Sequence, residues 1–322
     1  ELLARREQLR GERVNKPYPA QVVREVGSRP PAQHINLRGS VHALADKVGP
    51  AVPMAWVKGS SGDGPYGAPE HGPDGAPTSG RRRALVEWIF SDGAHLAARV
   101  EANRTWQFLF GRGLCRSTGD FGRLGERPTH PELLDFLAAE LLERSWSRKS
   151  LQRFLMESEA YRMATVGPDE ALEADPRNDL FWRFNPRRLT AEEVRDSMLA
   201  ASGELNLRRH GPSVFPPLPK EVLASASRPG AAWGRSSKED SVRRSVYIHV
   251  KRSLREPLLA VLDQPDPDMP CPERFPTNVP TQALLTLNGD FSQVRAEALA
   301  ASLAEHATLR PALAEAMERA LS

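Results

Sequence analysis

The sequence predicts a mostly α fold: a multi-helix domain with a small accessory β element. Three observations lead there. Apolar residues recur at helical spacing in several segments between residue 81 and the C-terminus. Capping residues stand at the starts of several of these segments. Only two short stretches, residues 33–39 and 246–250, alternate polar and apolar side chains as half-buried strands do.

The elements follow in order. Residues 1–12 read as a charged helix end, stopped by Lys16-Pro17-Tyr18-Pro19. The alternation at 33–39 predicts the first strand. Residues 58–80 are rich in Gly, Pro, Ser and Asp and read as a linker. The chain is therefore divided into an N-terminal segment over 1–57, the linker over 58–80, and a helical domain over 81–322. After Ser79-Gly80 a helix places Leu85, Trp88 and Ile89 on one face. A second runs from Ala94 to Phe110 and ends at Gly111 and Gly113. A glycine-punctuated loop leads to Thr129-His130-Pro131-Glu132, where Thr129 and Glu132 have capping-box spacing. Leu133, Leu134, Leu137 and Leu141 form the stripe of the helix that follows. Ser147 caps the next helix, and Thr190 with Glu193 forms a further capping box. Residues 246–250, Val-Tyr-Ile-His-Val, predict a second strand that pairs with the one near Ile35. Residues 279–321 predict two or three helices, broken at Asn288-Gly289 and near Pro311.

Composition narrows the function classes. A chain of 322 residues, 40% hydrophobic and 26% charged, can bury one large core or two medium ones and is not a disordered tail. Its 28 prolines cluster between apolar segments and imply stiff, irregular connections. The formal net charge is only +3, and basic pairs such as Arg187-Arg188 and Arg243-Arg244 are interleaved with acids, so no nucleic-acid footprint emerges. No apolar run is long enough to span a bilayer. Cys115 and Cys271 lie outside any C-x-x-C-H pattern, so no covalent haem and no other cofactor is expected in this segment; a disulfide between them stays open. The opening Glu1-Leu2-Leu3-Ala4 reads as mid-helix, with neither cap nor signal peptide. It is expected to belong to a fragment whose upstream part is missing.

Between Ser79 and Tyr161 the motifs become specific. They include Asn103-Arg104-Thr105-Trp106, Phe110-Gly111-Arg112-Gly113-Leu114, Gly119-Asp120-Phe121-Gly122, Pro128-Thr129-His130-Pro131-Glu132 and Ser158-Glu159-Ala160-Tyr161-Arg162. Arg187-Arg188-Leu189, Arg195-Asp196, Gly211-Pro212, Arg244-Ser245, Arg274 and Pro280-Thr281-Gln282 continue the pattern. This block resembles domain of unknown function 1553, a planctomycete, cytochrome-associated family. The resemblance covers about residues 80–300, and Arg38-Gly39 and Val48-Gly49-Pro50 resemble the family's joining segment, which implies that residues 1–57 are the tail of an upstream domain and the segment that joins it. It implies a large exported protein of the periplasm or cell envelope. Its partners would be upstream domains of the same polypeptide, including in some members a c-type cytochrome. Cys115 stands where the family usually has an aliphatic residue, so no role is assigned to it.

Two functional readings remain. In the first, the chain is a helical interaction or support module for the upstream domains. In the second, it is an enzyme domain acting on polysaccharide or another envelope substrate. The catalytic candidates are then Arg104, Asp120 and His130, with Asp120 orienting His130 for proton transfer and Arg104 binding an anion. Asn103, Tyr161 and Arg162 are the binding candidates. The structural alternative for the same residues is a buried Arg104–Asp120 ion pair. The loop 111–125 lacks a nucleotide motif and reads as a connector whose glycines adopt positive φ. Glu192 and Asp196 lie one helical turn apart and need neutralising, by Arg195, Arg187 or Arg188, or by a divalent ion; no metal site is assigned. Trp88, Trp106, Trp146 and Trp182 stack sugars if exposed and fill the core otherwise.

Overall fold

The computed structural model describes residues 25, 27–51, 70–71, 75–226, 232–306 and 308–321. The expected helix end at 1–12, its stop at Lys16–Pro19 and most of the linker lie outside them. The fold is mostly α with small antiparallel strand pairs, and it divides into two compact units, residues 1–185 and 186–322.

In the first unit, β1 (Gln33–Asn36) pairs antiparallel with β2 (Leu44–Val48), and β3 (Glu70–His71) with β4 (Pro77–Thr78). Helix α1 (Arg81–Ile89), which has no buried residue, leads into the core, which is formed by α2 (Ala94–Phe110) and α3 (Pro131–Glu143) with α4 (Arg148–Met156) laid against both. Ala98 and Ala102, one turn apart and fully buried, present almost no side chain, so α2 and α3 approach closely. Leu134, Leu137 and Leu141 fill the facing stripe, while Leu133 is only partly buried. Each buried leucine contributes roughly 1.5–3 kcal/mol. Trp106 stacks on Phe110 at 3.9 Å between ring centroids, and Phe181 closes the cluster edge-on. Of the four tryptophans Trp88, Trp106, Trp146 and Trp182, Trp106 is the buried one and the others are half-buried. In α1 the expected apolar face is not covered at Leu85, which is exposed, whereas Trp88 packs over Gly93. A short α5 (Asp169–Ala174) precedes the end of the unit.

The helix starts test the cap signals. Ser147 accepts from the Ser150 N–H, and Thr190 and Glu193 form a complete capping box on α6 (Ala191–Ala201). The Thr129–Glu132 box does not form. Pro131 takes the first helical position and makes His130 the N-cap, which moves Glu132 out of the position that reaches back. Thr129 Oγ1 instead faces the Leu114 carbonyl at 3.4 Å.

In the second unit α6 is central. It contacts α9 (Pro257–Val261), α11 (Asp290–Ser302) and α12 (Leu309–Leu321); α10 (Pro280–Asn288) packs on α9 and α11. Two short helices, α7 (Lys220–Ala224) and α8 (Lys238–Ser241), lie in the long connection between α6 and α9. Ala191, Val214, Ile248, Leu258, Leu259 and Leu262 form the core here. The strand expected at 246–250 is absent. Residues Ser245–Tyr247 form a 3-10 turn, and Ile248 makes a single bridge to Val214; β1 has β2 as its partner. Alternation alone makes no strand when no extended neighbour offers a ladder. The break near Pro311 also moves: Pro311 sits inside the first turn of α12, where its missing N–H is harmless. Among the described residues no helix is long and apolar enough to cross a membrane.

Replacing Ala102 by Leu inserts bulk where the two helices are closest. It is expected to destabilise the chain by about 1–3 kcal/mol, read from the urea unfolding midpoint.

Candidate functional site

The motif block places Asn103 on the buried side of α2, about two turns before the helix ends. The Gly111 backbone closes the helix with φ of 85°. The chain then folds back on Asn103. Its side-chain amide donates to the Cys115 carbonyl at 2.9 Å, and its side-chain oxygen accepts the Cys115 N–H at 2.8 Å. Both partners are buried, so one side chain satisfies a donor and an acceptor that no ladder reaches. Gly113 passes directly over this clamp: a Cβ there would stand 2.5 Å from the Cys115 carbonyl oxygen and 2.6 Å from the Asn103 amide nitrogen. Close approach, not positive φ, is the reason for this glycine. Further along, Ser117 donates to the Asp120 carbonyl and accepts from the Glu126 N–H, each at 2.8 Å.

The three catalytic candidates do not meet. Arg104, the next residue around α2 from Asn103, is exposed and has no ion pair among the described residues. Asp120 is exposed, and its carboxylate accepts the N–H of Gly122 at 2.7 Å. His130 is half-buried at the start of α3, with Nδ1 3.0 Å from Thr129 Oγ1 and its ring 5.8 Å from that of Phe181. Neither the Asp120–His130 pair nor the Arg104–Asp120 ion pair is present. Helical phase explains the first departure, since Asn103 and Arg104 are about 100° apart around the helix and only one of them can face the loop. Of the binding candidates, Asn103 is the clamp. Tyr161 packs edge-on against Phe110 and Phe184, and Arg162 is exposed. Both cysteines are free thiols.

A second polar centre lies in the second unit and was only half legible. Arg195, 1% exposed, extends from α6 and donates to the carbonyls of Arg243 (3.1 Å) and Ser241 (2.7 Å) and to Ser245 Oγ (3.1 Å). Arg243, with no exposed surface, donates in turn to the carbonyls of Arg208, His210 and Pro212, and its guanidinium lies 3.9 Å from the Tyr247 ring centre. Burial pushes the Arg195 guanidinium below its ordinary range, against the opposing pull of Glu256 and Asp196. Glu256 accepts the Leu259 N–H at 2.7 Å, and burial pushes its carboxyl up. It lines a recess of about 10 Å³ with His249, Lys251, Arg255 and Gln264, room for about one water.

Glu192 and Asp196 are neutralised separately. Glu192 pairs with Arg274 at 2.6 Å, a partner that spacing did not suggest. Asp196 accepts both the N–H and the hydroxyl of Ser245 at 2.7 Å, with Arg195 and Arg244 each 3.7 Å away. Arg188 instead reaches Asp263, which also holds Thr277 and the buried Gln282. Asp263 was missed because nothing in its neighbours' spacing marks it. Arg187 takes Glu193 bidentately at 2.9 and 2.8 Å. Hydrogen bonds from Arg187, against the opposing effect of burial, and from Thr190 lower the Glu193 carboxyl to about 2.

Two measurements check this geometry. Asn103→Ala strands two buried main-chain groups and is expected to cost about 1–3 kcal/mol for each, whereas Asp120→Asn should stay within about 1 kcal/mol of wild type. Urea melts of both variants read the contrast. For Glu193 the folded value lies below the ordinary 4.5, so its contribution is fully present above pH 4.5 and is lost as pH falls through about 2. The stability gap between wild type and Glu193→Gln should therefore shrink between pH 5 and pH 2 in a series of urea melts.

Comparison with known proteins places the chain in a family. No curated protein and no solved structure matches it. A family model described as PSD1, protein of unknown function (DUF1553), matches residues 81–322. The matched span is more than half of the chain, and it contains the Asn103 clamp, the buried arginines Arg195 and Arg243, and the Asp263–Gln282 hub. The chain belongs to the PSD1 family of proteins of unknown function, DUF1553.

Proposed function

We propose that this chain is a non-catalytic, helical support module of a larger exported planctomycete protein of the cell envelope. In this reading it positions upstream domains of the same polypeptide, among them a c-type cytochrome domain that brings the haem. The segment itself needs no cofactor. One observation carries the reading: polar side chains of the motif block are engaged on the chain's own main chain. Asn103 holds Cys115, Asp120 holds Gly122, and Arg195 holds Arg243 and Ser241. Side chains engaged in this way fix loop shape, and fixed loops suit a docking scaffold better than a reacting centre. The enzyme reading required Arg104, Asp120 and His130 to share a site, and they occupy separate places.

The test uses the full-length protein beside a truncation that lacks residues 81–322. Limited proteolysis follows the upstream domains in both. A support module predicts that these domains are cut several times faster in the truncation. Equal cutting rates, with the upstream domains equally folded, would remove the basis for the reading. A haem absorption band confined to the upstream part of the full-length protein is the companion expectation.

A further inference from the structure

One cluster in the first unit holds more positive charge than its own carboxylate neutralises. Three guanidinium groups converge on Asp179. Arg112 lies 3.2 Å from one carboxylate oxygen, Arg116 is in direct contact with the same oxygen, and Arg177 approaches the other at 3.8 Å. Asp175, the other acid acting on Arg112, has its carboxylate occupied by the N–H groups of Asp179 (2.9 Å) and Leu180 (2.8 Å). Three cations thus face two carboxylates, Asp179 and Asp175, and one positive charge is left over.

The arrangement is also held in place. Arg112 donates to the carbonyls of Arg177, at 2.7 Å, and Asn178, and its guanidinium lies 5.2 Å from the Phe181 ring centre. Asn178 is buried, with φ of 52°, and its amide donates to the Arg183 carbonyl at 2.8 Å. The side chains of Arg112 and Arg116 are only 20% and 19% exposed, so water screens their mutual repulsion poorly. Both Nε–H groups are buried without an acceptor among the described residues. Burial lowers the proton affinity of Arg112, Asp175 opposes that shift, and the neighbouring Arg177 adds to it. Arg177, by contrast, is 67% exposed and leaves most of its guanidinium to solvent.

We infer that Arg112, Arg116 and Arg177 form an oxyanion-binding site for a doubly charged tetrahedral group, a phosphate or sulfate ester. Guanidinium forks match the paired oxygens of such a group, which chloride does not offer. Asp179 serves as the resident counter-ion: it holds the three cations in register when the site is empty and competes with the ligand for them. The preset geometry lowers the ordering cost of binding. This site is independent of the support role, because it needs no upstream domain.

The experiment is isothermal titration of the 322-residue chain with inorganic phosphate and, separately, with sulfate, at ionic strength held constant with sodium chloride. Saturable binding of one equivalent is expected. Phosphate binding without sulfate binding identifies a phosphoryl ligand, the reverse a sulfuryl one. Arg177→Gln, at an exposed position, should keep the wild-type urea midpoint and weaken binding by about tenfold. Asp179→Asn removes the competitor and should tighten it by a similar factor. No saturable heat from either anion, or binding unchanged in Arg177→Gln, would overturn the inference.

Discussion

A folded chain must give every buried main-chain carbonyl and N–H a partner, and this requirement shapes both units. With 28 prolines and long irregular connections, much of the backbone has no helix or sheet ladder to serve it. Buried side chains with several donors take over. Asn103 serves Cys115, Asn178 serves Arg183, and Arg195 and Arg243 together serve five carbonyls of the connection between α6 and α9. Gln282 does the same for Val261 while joining Asp263 and Thr277. Each has a planar, multivalent head that spans two or more main-chain groups. An unpaired carbonyl in the same place would cost about 1–3 kcal/mol.

The two buried arginines illustrate the balance of terms. Desolvating a guanidinium is expensive, and a single carboxylate seldom offsets it. Arg195 has Asp196 only at 3.7 Å; Arg243 has carbonyls and the face of Tyr247. Carbonyl dipoles converging on a cation offset part of the cost, and for Arg195 the attraction of Glu256 and Asp196 adds to them. The loop consequently takes the shape that points those carbonyls inward, so the cation determines the loop and not the reverse. The same logic applies to the motif block of this chain. Its asparagine, glycines and loop aspartate build a rigid connector between α2 and α3.

What was legible in advance had local causes. The end of α2 at Gly111, the Ser147 cap, the Thr190–Glu193 box and the stripe Leu134, Leu137, Leu141 all link residues no more than four positions from the next. Where a local pattern misled, a stronger local or tertiary term was present. Pro131 displaced the cap expected at Thr129. The alternating 246–250 segment had no extended partner, and Arg243 and Arg195 drew its approach into a 3-10 turn. Arg104 and Asp120 looked like a pair because they share a motif, but a motif records sequence neighbours and not facing side chains.

By itself, then, the sequence determined the mostly α class, several helix bounds and the family, because hydrophobic period, caps and motif strings are written in residues close along the chain. Only the tertiary structure decided which polar residues meet. Asn103 and Cys115 are 12 residues apart, Arg195 and Arg243 48, Arg112 and Asn178 66, and Arg274 and Glu192 82. At such separations the pairing depends on how helices and connections pack, and no spacing rule carries that information. The concentration of arginines around Asp179 is of this kind: two come from the loop after α2 and one from the turn after α5, and their shared carboxylate exists as a site only once the core has brought those segments together.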